Sequence, residues 1–237
     1  RFKSESLLNQ FNQSSKMVID DEFKDLLLLS KKYYDLTNGV FNPALLPFLL
    51  KEGYVKSKFE NYINKEFQIE ANSYTTDFDE LEIHGNTAMK PTMLLIDLGG
   101  IGKGYIADKI AGLMSKKYEN FCVELGGDMY LGGVDKENNY PYWAIEIENP
   151  FEIQIEMPTL LVKDKAIATS GINKRKWNKG GISKNHLINN NSKKSVDNSL
   201  ICVTVVADNA TDADVFAKTI LILGEKLGME FAILHSI

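Results

Sequence analysis

The sequence predicts an α+β fold of mixed sheets with packed helices, and three observations lead there. Stretches near 21–37, 105–118 and 210–223 read as helices. Short alternating runs near 81–84, 93–97, 121–125, 128–132, 142–148 and 200–206 read as strands. The two kinds of element are mixed without the strict alternation that a doubly wound parallel sheet requires.

Each element has a local reason. Asp20, Asp21 and Glu22 put negative charge where the first helix begins, and Asn38-Gly39 supply its stop. Pro43 and Pro47 break the apolar stretch from Ala44 to Leu50. Leu81-Glu82-Ile83-His84 and Met93-Leu94-Leu95-Ile96-Asp97 read as strands, and a glycine cluster then precedes a helical pattern from Tyr105 to about Tyr118. A long polar segment spans 172–199. The run Leu200 to Val206 leads into a helix from Ala210 to Leu223 that Gly224 closes. There are no repeats and no clean linker, so 1–237 is expected to form a single domain.

The bulk composition narrows the function. A chain of 237 residues that is 44% hydrophobic and 25% charged can bury a sizeable core. A net charge of -5 gives no global pull toward nucleic acid. No apolar run reaches the length of a membrane helix. Cys122 and Cys202 both lie in strand-like apolar runs, which favours two buried free thiols over a disulfide or metal pair. The chain starts at Arg1 and stops inside the apolar stretch Phe231 to Ile237, so truncation at both ends is expected.

The most informative stretch is Asp97-Leu98-Gly99-Gly100-Ile101-Gly102-Lys103-Gly104-Tyr105. A strand, four glycines, a lysine and then a helix start can aim backbone N–H groups and one positive charge at a phosphate. A P-loop is excluded, because its first glycine and its Ser or Thr would fall on Asp97 and Gly104. Gly102-Lys103-Gly104-Tyr105-Ile106-Ala107 does fit a dinucleotide fingerprint, with Glu124 ending the next strand. The turn before Gly102 is too long for that motif, and the βα alternation is missing. A glycine turn with no ligand is the remaining alternative.

This stretch resembles the signature of the ApbE family, the FAD:protein FMN transferases, which reads roughly D-L-G-G-I-A-K-G-Y-x-x-D and is completed here by Asp108. Further blocks follow in the family's order. Gly39-Val40-Phe41-Asn42-Pro43 resembles G-A-F-D-P, with Asn42 in place of Asp. Val123-Glu124-Leu125-Gly126-Gly127-Asp128 resembles E-L-G-G-D, and Ala166-Ile167-Ala168-Thr169-Ser170-Gly171 resembles A-I-A-T-S-G. Ala213-Asp214-Val215-Phe216-Ala217 with Gly224 resembles the A-D-A-L-A-T helix and its closing glycine. Phe2, Ser6 and Asn12 resemble the family's entry segment, with Phe2 where a flavin-stacking Tyr is common. The resemblance spans nearly the whole chain and implies an ApbE-like, T-fold-derived domain with FAD held between strand-rich halves.

The resemblance also implies roles for residues. FAD would be contacted by Phe2, Phe41, Asn42, Pro43, Asp97, Lys103, Glu124, Thr169 and Ile188, with Lys103 as a point charge for phosphate. Mg²⁺ would be held at the Gly100 carbonyl, Asp214 and position 218, where the family has Thr and this chain has Lys218. A protonated lysine cannot ligate Mg²⁺, and Asp214–Lys218 at i,i+4 also reads as a plain salt bridge. Thr219 lies roughly 140° around the helix from Asp214, so it cannot take over. One reading is that the Lys218 ammonium partly replaces the cation. His186, in His186-Leu187-Ile188-Asn189, resembles the family's H-I-I-D, whose histidine accepts the target hydroxyl's proton. The next residues, Asn189 to Lys193, depart from the family's D-P-x-T-G. His84 and His235 have no supporting context.

The segment 174–194 holds seven Lys or Arg residues, Trp177 and no acid, and reads first as a solvated loop. Docking of an acidic target or contact with the adenosine phosphate are the alternatives. The implied activity is Mg²⁺-dependent transfer of FMN from FAD to a Thr or Ser hydroxyl of a target protein, with release of AMP. An FAD carrier, an inactive homologue or an FAD pyrophosphatase stand as alternatives. A homodimer is left open. The family suggests the cell envelope, with a targeting segment absent from this chain.

Overall fold

The structure is a computed structural model that describes residues 5–54, 70–151 and 155–237. In chain order its regular elements begin with α1 (Leu7–Asn12), β1 (Lys16–Val18), α2 (Asp21–Leu36), α3 (Leu46–Lys51), β2 (Glu82–His84) and β3 (Thr87–Met89). Then come α4 (Gly102–Met114), β4 (Phe121–Leu125), β5 (Asp128–Gly132), β6 (Trp143–Glu146), β7 (Thr159–Val162) and β8 (Lys165–Gly171). Four short strands follow: β9 (Lys176–Lys179), β10 (Ile182–Asn185), β11 (Ile188–Asn189) and β12 (Lys194–Ser195). The last elements are β13 (Cys202–Ala207) and α5 (Ala210–Leu234). The chain forms two compact units, Arg1–Gly99 with Arg175–Asp197, and Gly100–Lys174 with Asn198–Ile237.

The first unit is organised around α2. Asp20 caps it by accepting from the Phe23 N–H at 2.7 Å, with Asp21 and Glu22 in the first turn. Asn38 and Gly39 end it in left-handed conformations. Its apolar stripe buries Phe23, Leu27 and Tyr33, and Phe23 meets Phe11 of α1 edge to face at 5.8 Å. An antiparallel sheet of order β1-β3-β2 lies in this unit.

The expected strand at 93–97 does not form. Leu94, Leu95 and Ile96 are all buried, so no alternation survives. The Asn12 side chain takes the place of a strand partner, accepting from Ile96 N and donating to Ile96 O, each at 2.8 Å. The segment 174–194 carries two antiparallel hairpins, β9–β10 and β11–β12, where a loop was expected, while Lys174, Arg175, Lys176, Lys179 and Lys194 stay exposed as a solvated charge run would. Trp177 anchors the first by donating to the Glu52 carbonyl at 2.8 Å and stacking on Tyr54 at 5.3 Å. The Glu52 carboxylate meets Lys184 at 2.6 Å and Ser195 Oγ at 3.1 Å. Lys193 bonds Thr76 and Asn190, each at 2.6 Å. Of the seven cations, Lys184 and Lys193 are thus drawn partly out of solvent.

The second unit is a four-stranded antiparallel sheet of order β13-β8-β5-β4, with α4 and α5 packed on it. The β6–β7 hairpin adds Trp143, Ile145, Leu160 and Val162 to a cluster with Met129, Leu131 and Ile167. The β4–β5 connection is a two-residue turn in which Gly126 and Gly127 both have positive φ, 64° and 92°, the geometry that matches strand twist and favours glycine. Along β4, Phe121 and Val123 face inward, so Cys122 is exposed rather than buried as expected; both cysteines are free. The α4 helix starts at Gly102, three residues earlier than expected, and ends at Met114. Gly224, expected to close the last helix, only interrupts α5, with φ 79° and ψ 179°; helix resumes beyond it and runs to Leu234.

Candidate functional site

Three of the charged residues that the sequence singles out, Lys103, Asp214 and Lys218, gather in the second unit around the N-terminus of α4. Ile101, at its N-cap, supplies no side-chain cap. The Gly104 N–H points to Asp214 Oδ2 at 3.4 Å. A Cβ on Gly104 would lie 2.5 Å from the Ala210 carbonyl and 2.7 Å from Thr211 Cα, so glycine is what lets α4 and α5 meet. A Cβ on Gly102 would meet nothing within 4 Å, which leaves the backbone of the first turn open to a ligand.

Asp108, the last residue of the family-like signature, ties α4 to the start of α5. Its carboxylate accepts from Ala210 N at 2.6 Å, Thr211 N at 2.9 Å and Thr211 Oγ1 at 2.5 Å. Asn209 caps the same helix through Asp212 N at 2.7 Å, so the first-turn N–H groups are satisfied. This places Asp214, one turn further on, against Gly104.

Lys103 pairs with Asp128, which directly follows the Gly126-Gly127 turn. The Asp128 side chain is 2% exposed while that of Lys103 is 37% exposed, so this ammonium can also reach an incoming anion. Burial, and then the nearby charge of Asp214, raise the Asp128 pKa above the usual value; Lys103 and Lys218 oppose the rise. Asp128 was missed as a site residue, although it ends the Glu124-Leu125-Gly126-Gly127-Asp128 block; its charge pairing is a contact across 25 residues that no local pattern reveals.

The expected Mg²⁺ donors do not fit that ion here. Lys218 Nζ donates to the Gly100 carbonyl at 2.8 Å and to Asp214 Oδ1 at 2.5 Å, so it engages both groups that would hold the metal. Among the described residues no group of three His, Cys, Asp or Glu side chains could hold a metal ion. Thr219 is fully buried and donates to the Val215 carbonyl at 2.8 Å, as its angular position requires.

The remaining sequence-selected residues fall in two sets. In the second unit, Glu124 is exposed and accepts from Gly127 N at 2.9 Å, while Thr169 bonds Thr204 across β8 and β13 at 2.9 Å. In the first unit, Asn42 caps a short turn through Ala44 N at 2.8 Å and donates to Thr76 O at 2.9 Å and Asn190 Oδ1 at 3.2 Å. Asp97 N donates to the Pro43 carbonyl at 2.8 Å, which brings Asp97 beside the Phe41-Asn42-Pro43 block. Phe41 and Ile188 are core residues, packed respectively near Tyr33 and with Leu45, Phe48 and Leu49. His186 is half-buried, its ring 6.1 Å from that of Tyr54. Its neighbour Asn185 holds the turn, accepting from Leu187 N at 3.0 Å and donating to Val196 O at 2.8 Å. Phe2 lies outside the described residues.

Fold and cluster together define an α+β protein built around a charged helix N-terminus. The profile of the ApbE family matches residues 1–236, and the chain belongs to that family. An FAD:protein FMN transferase of Vibrio cholerae serotype O1 is 28% identical over 237 residues, covering 98% of this chain and 70% of the relative. An FAD:protein FMN transferase of Escherichia coli K12 is 24% identical, over 97% of this chain and 68% of the relative. Among solved structures, the flavin transferase ApbE from Vibrio cholerae superposes with a TM-score of 0.81 at 26% identity, over 99% of this chain and 76% of that one. An ApbE protein from Thermotoga maritima superposes with a TM-score of 0.84 at 23% identity, over 99% and 77%, and bears on the fold. The expected α+β, ApbE-like fold is thus what the chain adopts.

Proposed function

We propose that this protein transfers the FMN part of FAD to a Thr or Ser hydroxyl of a target protein and releases AMP. The observation that carries this reading is the Lys103 ammonium on the open first turn of α4, held by buried Asp128 but one-third exposed to an incoming phosphate. Its support from relatives is the shared name of the family's transferases.

In this reading the target's hydroxyl oxygen attacks the FMN phosphorus. A new P–O bond forms, the bond to the bridging oxygen breaks, and AMP leaves with that oxygen. His186 takes the hydroxyl proton, the general-base task for which an imidazole nitrogen is suited. Lys103 and the first-turn N–H groups of α4 face the phosphate charge. Phe41, Asn42, Pro43, Asp97, Glu124, Thr169 and Ile188 contact FAD. Phe2 covers the isoalloxazine ring. The divalent metal that the family implies has no fitting donor set here.

The test is incubation with FAD, with and without Mg²⁺, and a peptide carrying Asp-x-x-Thr-Gly-Ala-Thr, read by mass spectrometry. A peptide heavier by the FMN moiety, with AMP released, is expected, and His186→Gln should remove the labelling while FAD still binds. Free FMN and AMP with unlabelled peptide would make the protein a pyrophosphatase. Bound, unchanged FAD would make it a carrier.

A further inference from the structure

The place expected to hold a divalent metal contains a lysine whose hydrogen-bonding capacity is spent there. An ammonium has three donors and no acceptor. Lys218 Nζ has three acceptors: the Gly100 carbonyl at 2.8 Å, Asp214 Oδ1 at 2.5 Å and the Asp214 carbonyl at 3.4 Å. A surface ion pair between i and i+4 residues would leave both side chains in water. Here Lys218 is 12% exposed and Asp214 3%. A carboxylate so enclosed needs a charged or hydrogen-bonded partner on each oxygen, and it has them: Lys218 on Oδ1 and Gly104 N on Oδ2.

Magnesium requires about six oxygens near 2.0–2.1 Å. An ammonium already bonded to the Gly100 carbonyl and Asp214 stands where the ion would have to be, and both cannot be there together. The neighbouring Thr219 hydroxyl is bonded to its own helix backbone and offers no replacement donor.

We propose that Lys218 is a built-in cation, tethered to α5, that takes the place of the divalent metal between the Gly100 carbonyl and Asp214. The protein then binds FAD and acts without a divalent ion. The inference about function without metal rests on the transferase reading; the inference about the occupant of the site does not. With Lys218 in place, the ammoniums of Lys103 and Lys218 are matched by the carboxylates of Asp128 and Asp214, so the cluster is neutral without a metal.

The test separates the two. Manganese titrations followed by electron paramagnetic resonance are run on the full chain without FAD, for the wild type and for Lys218→Thr. The wild type is expected to leave the Mn²⁺ signal that of the free ion. Lys218→Thr is expected to bind Mn²⁺ more tightly by about tenfold or more, the scale on which residues around a site tune metal affinity. In the peptide-labelling assay the wild type should keep its rate in EDTA, and Lys218→Thr should lose it and regain it with Mg²⁺. Tight Mn²⁺ binding by the wild type, or wild-type labelling abolished by EDTA and restored by Mg²⁺, would overturn the proposal. If neither protein labels the peptide, the transferase reading fails while the manganese titration still decides what fills the site. If Lys218→Thr does not fold, the wild-type titration alone decides it.

Discussion

Asp108 offers the sharpest quantitative test of how this site is assembled. Its carboxylate accepts three hydrogen bonds from the start of α5, two of them from the backbone of Ala210 and Thr211, which are almost fully buried. Asp108→Asn keeps the shape but sets an amide N–H₂ against at least one N–H donor. Loss of a helix cap costs about 0.5–2 kcal/mol, and a hydrogen bond to a charged group contributes about 1.5–3 kcal/mol. A destabilisation of about 2–3 kcal/mol is therefore expected, or roughly 5–10 °C in Tm at 2–4 °C per kcal/mol. Thr211→Val removes only the hydroxyl bond and should cost about 1 kcal/mol. In Asp108→Asn the Thr211→Val change should cost less, because the two share one interaction. Urea unfolding followed by fluorescence and circular dichroism measures all three variants. If Asp108→Asn unfolds within about 0.5 kcal/mol of the wild type, the carboxylate is not holding α5 and the reasoning is wrong.

Four further outcomes are expected. Burial lowers the Lys90 pKa to about 8, far below the 10.5 of an exposed lysine. The unfolded chain then holds more protons than the folded one between those values, so stability should rise with pH across that window. Lys90→Met should be more stable near pH 7 by on the order of 1–3 kcal/mol, an advantage that fades as pH rises from about 8 to 10.5 in denaturant titrations at several pH values. Burial pushes the Glu52 pKa up, but Lys184 and Ser195 outweigh it and hold it below the usual 4.5. Its stabilisation should be complete above that value and lost as pH falls through the lowered one. Glu52→Gln should thus cost on the order of 1–3 kcal/mol at neutral pH and progressively less in acid, read by the same titrations. Finally, Gly104→Ala should destabilise by about 1–3 kcal/mol, because its Cβ would strike the Ala210 carbonyl at 2.5 Å. Gly102→Ala should fold as well as the wild type, having open space around it, yet weaken FAD binding measured by fluorescence quenching.

Elements with a signal inside their own few residues were legible. Asp20 and the Asn38-Gly39 pair bound α2, Gly126-Gly127 make the β4–β5 turn, and Gly224 breaks α5. The ordered blocks that resemble the family pointed to the fold that the comparisons bear out. What failed locally had its partner elsewhere. The run 93–97 has strand-like residues, but the Asn12 side chain satisfies its backbone. The basic segment 174–194 keeps five of its seven cations in solvent, but its hairpins are anchored by Glu52, Tyr54 and Thr76.

The sequence by itself determined where α2 starts and stops, the glycine turns at 126–127 and 224, and the candidates Lys103, Asp214 and Lys218, because spacing and turn chemistry act over a few bonds. Only the tertiary structure decided that Asp128 faces Lys103, that Asp108 caps α5 and that Lys218 reaches the Gly100 carbonyl. Those pairings join residues as far as 118 positions apart, as Gly100 is from Lys218. Whether a charge there is solvated or matched depends on what packing brings within about 3 Å, the reach of a hydrogen bond.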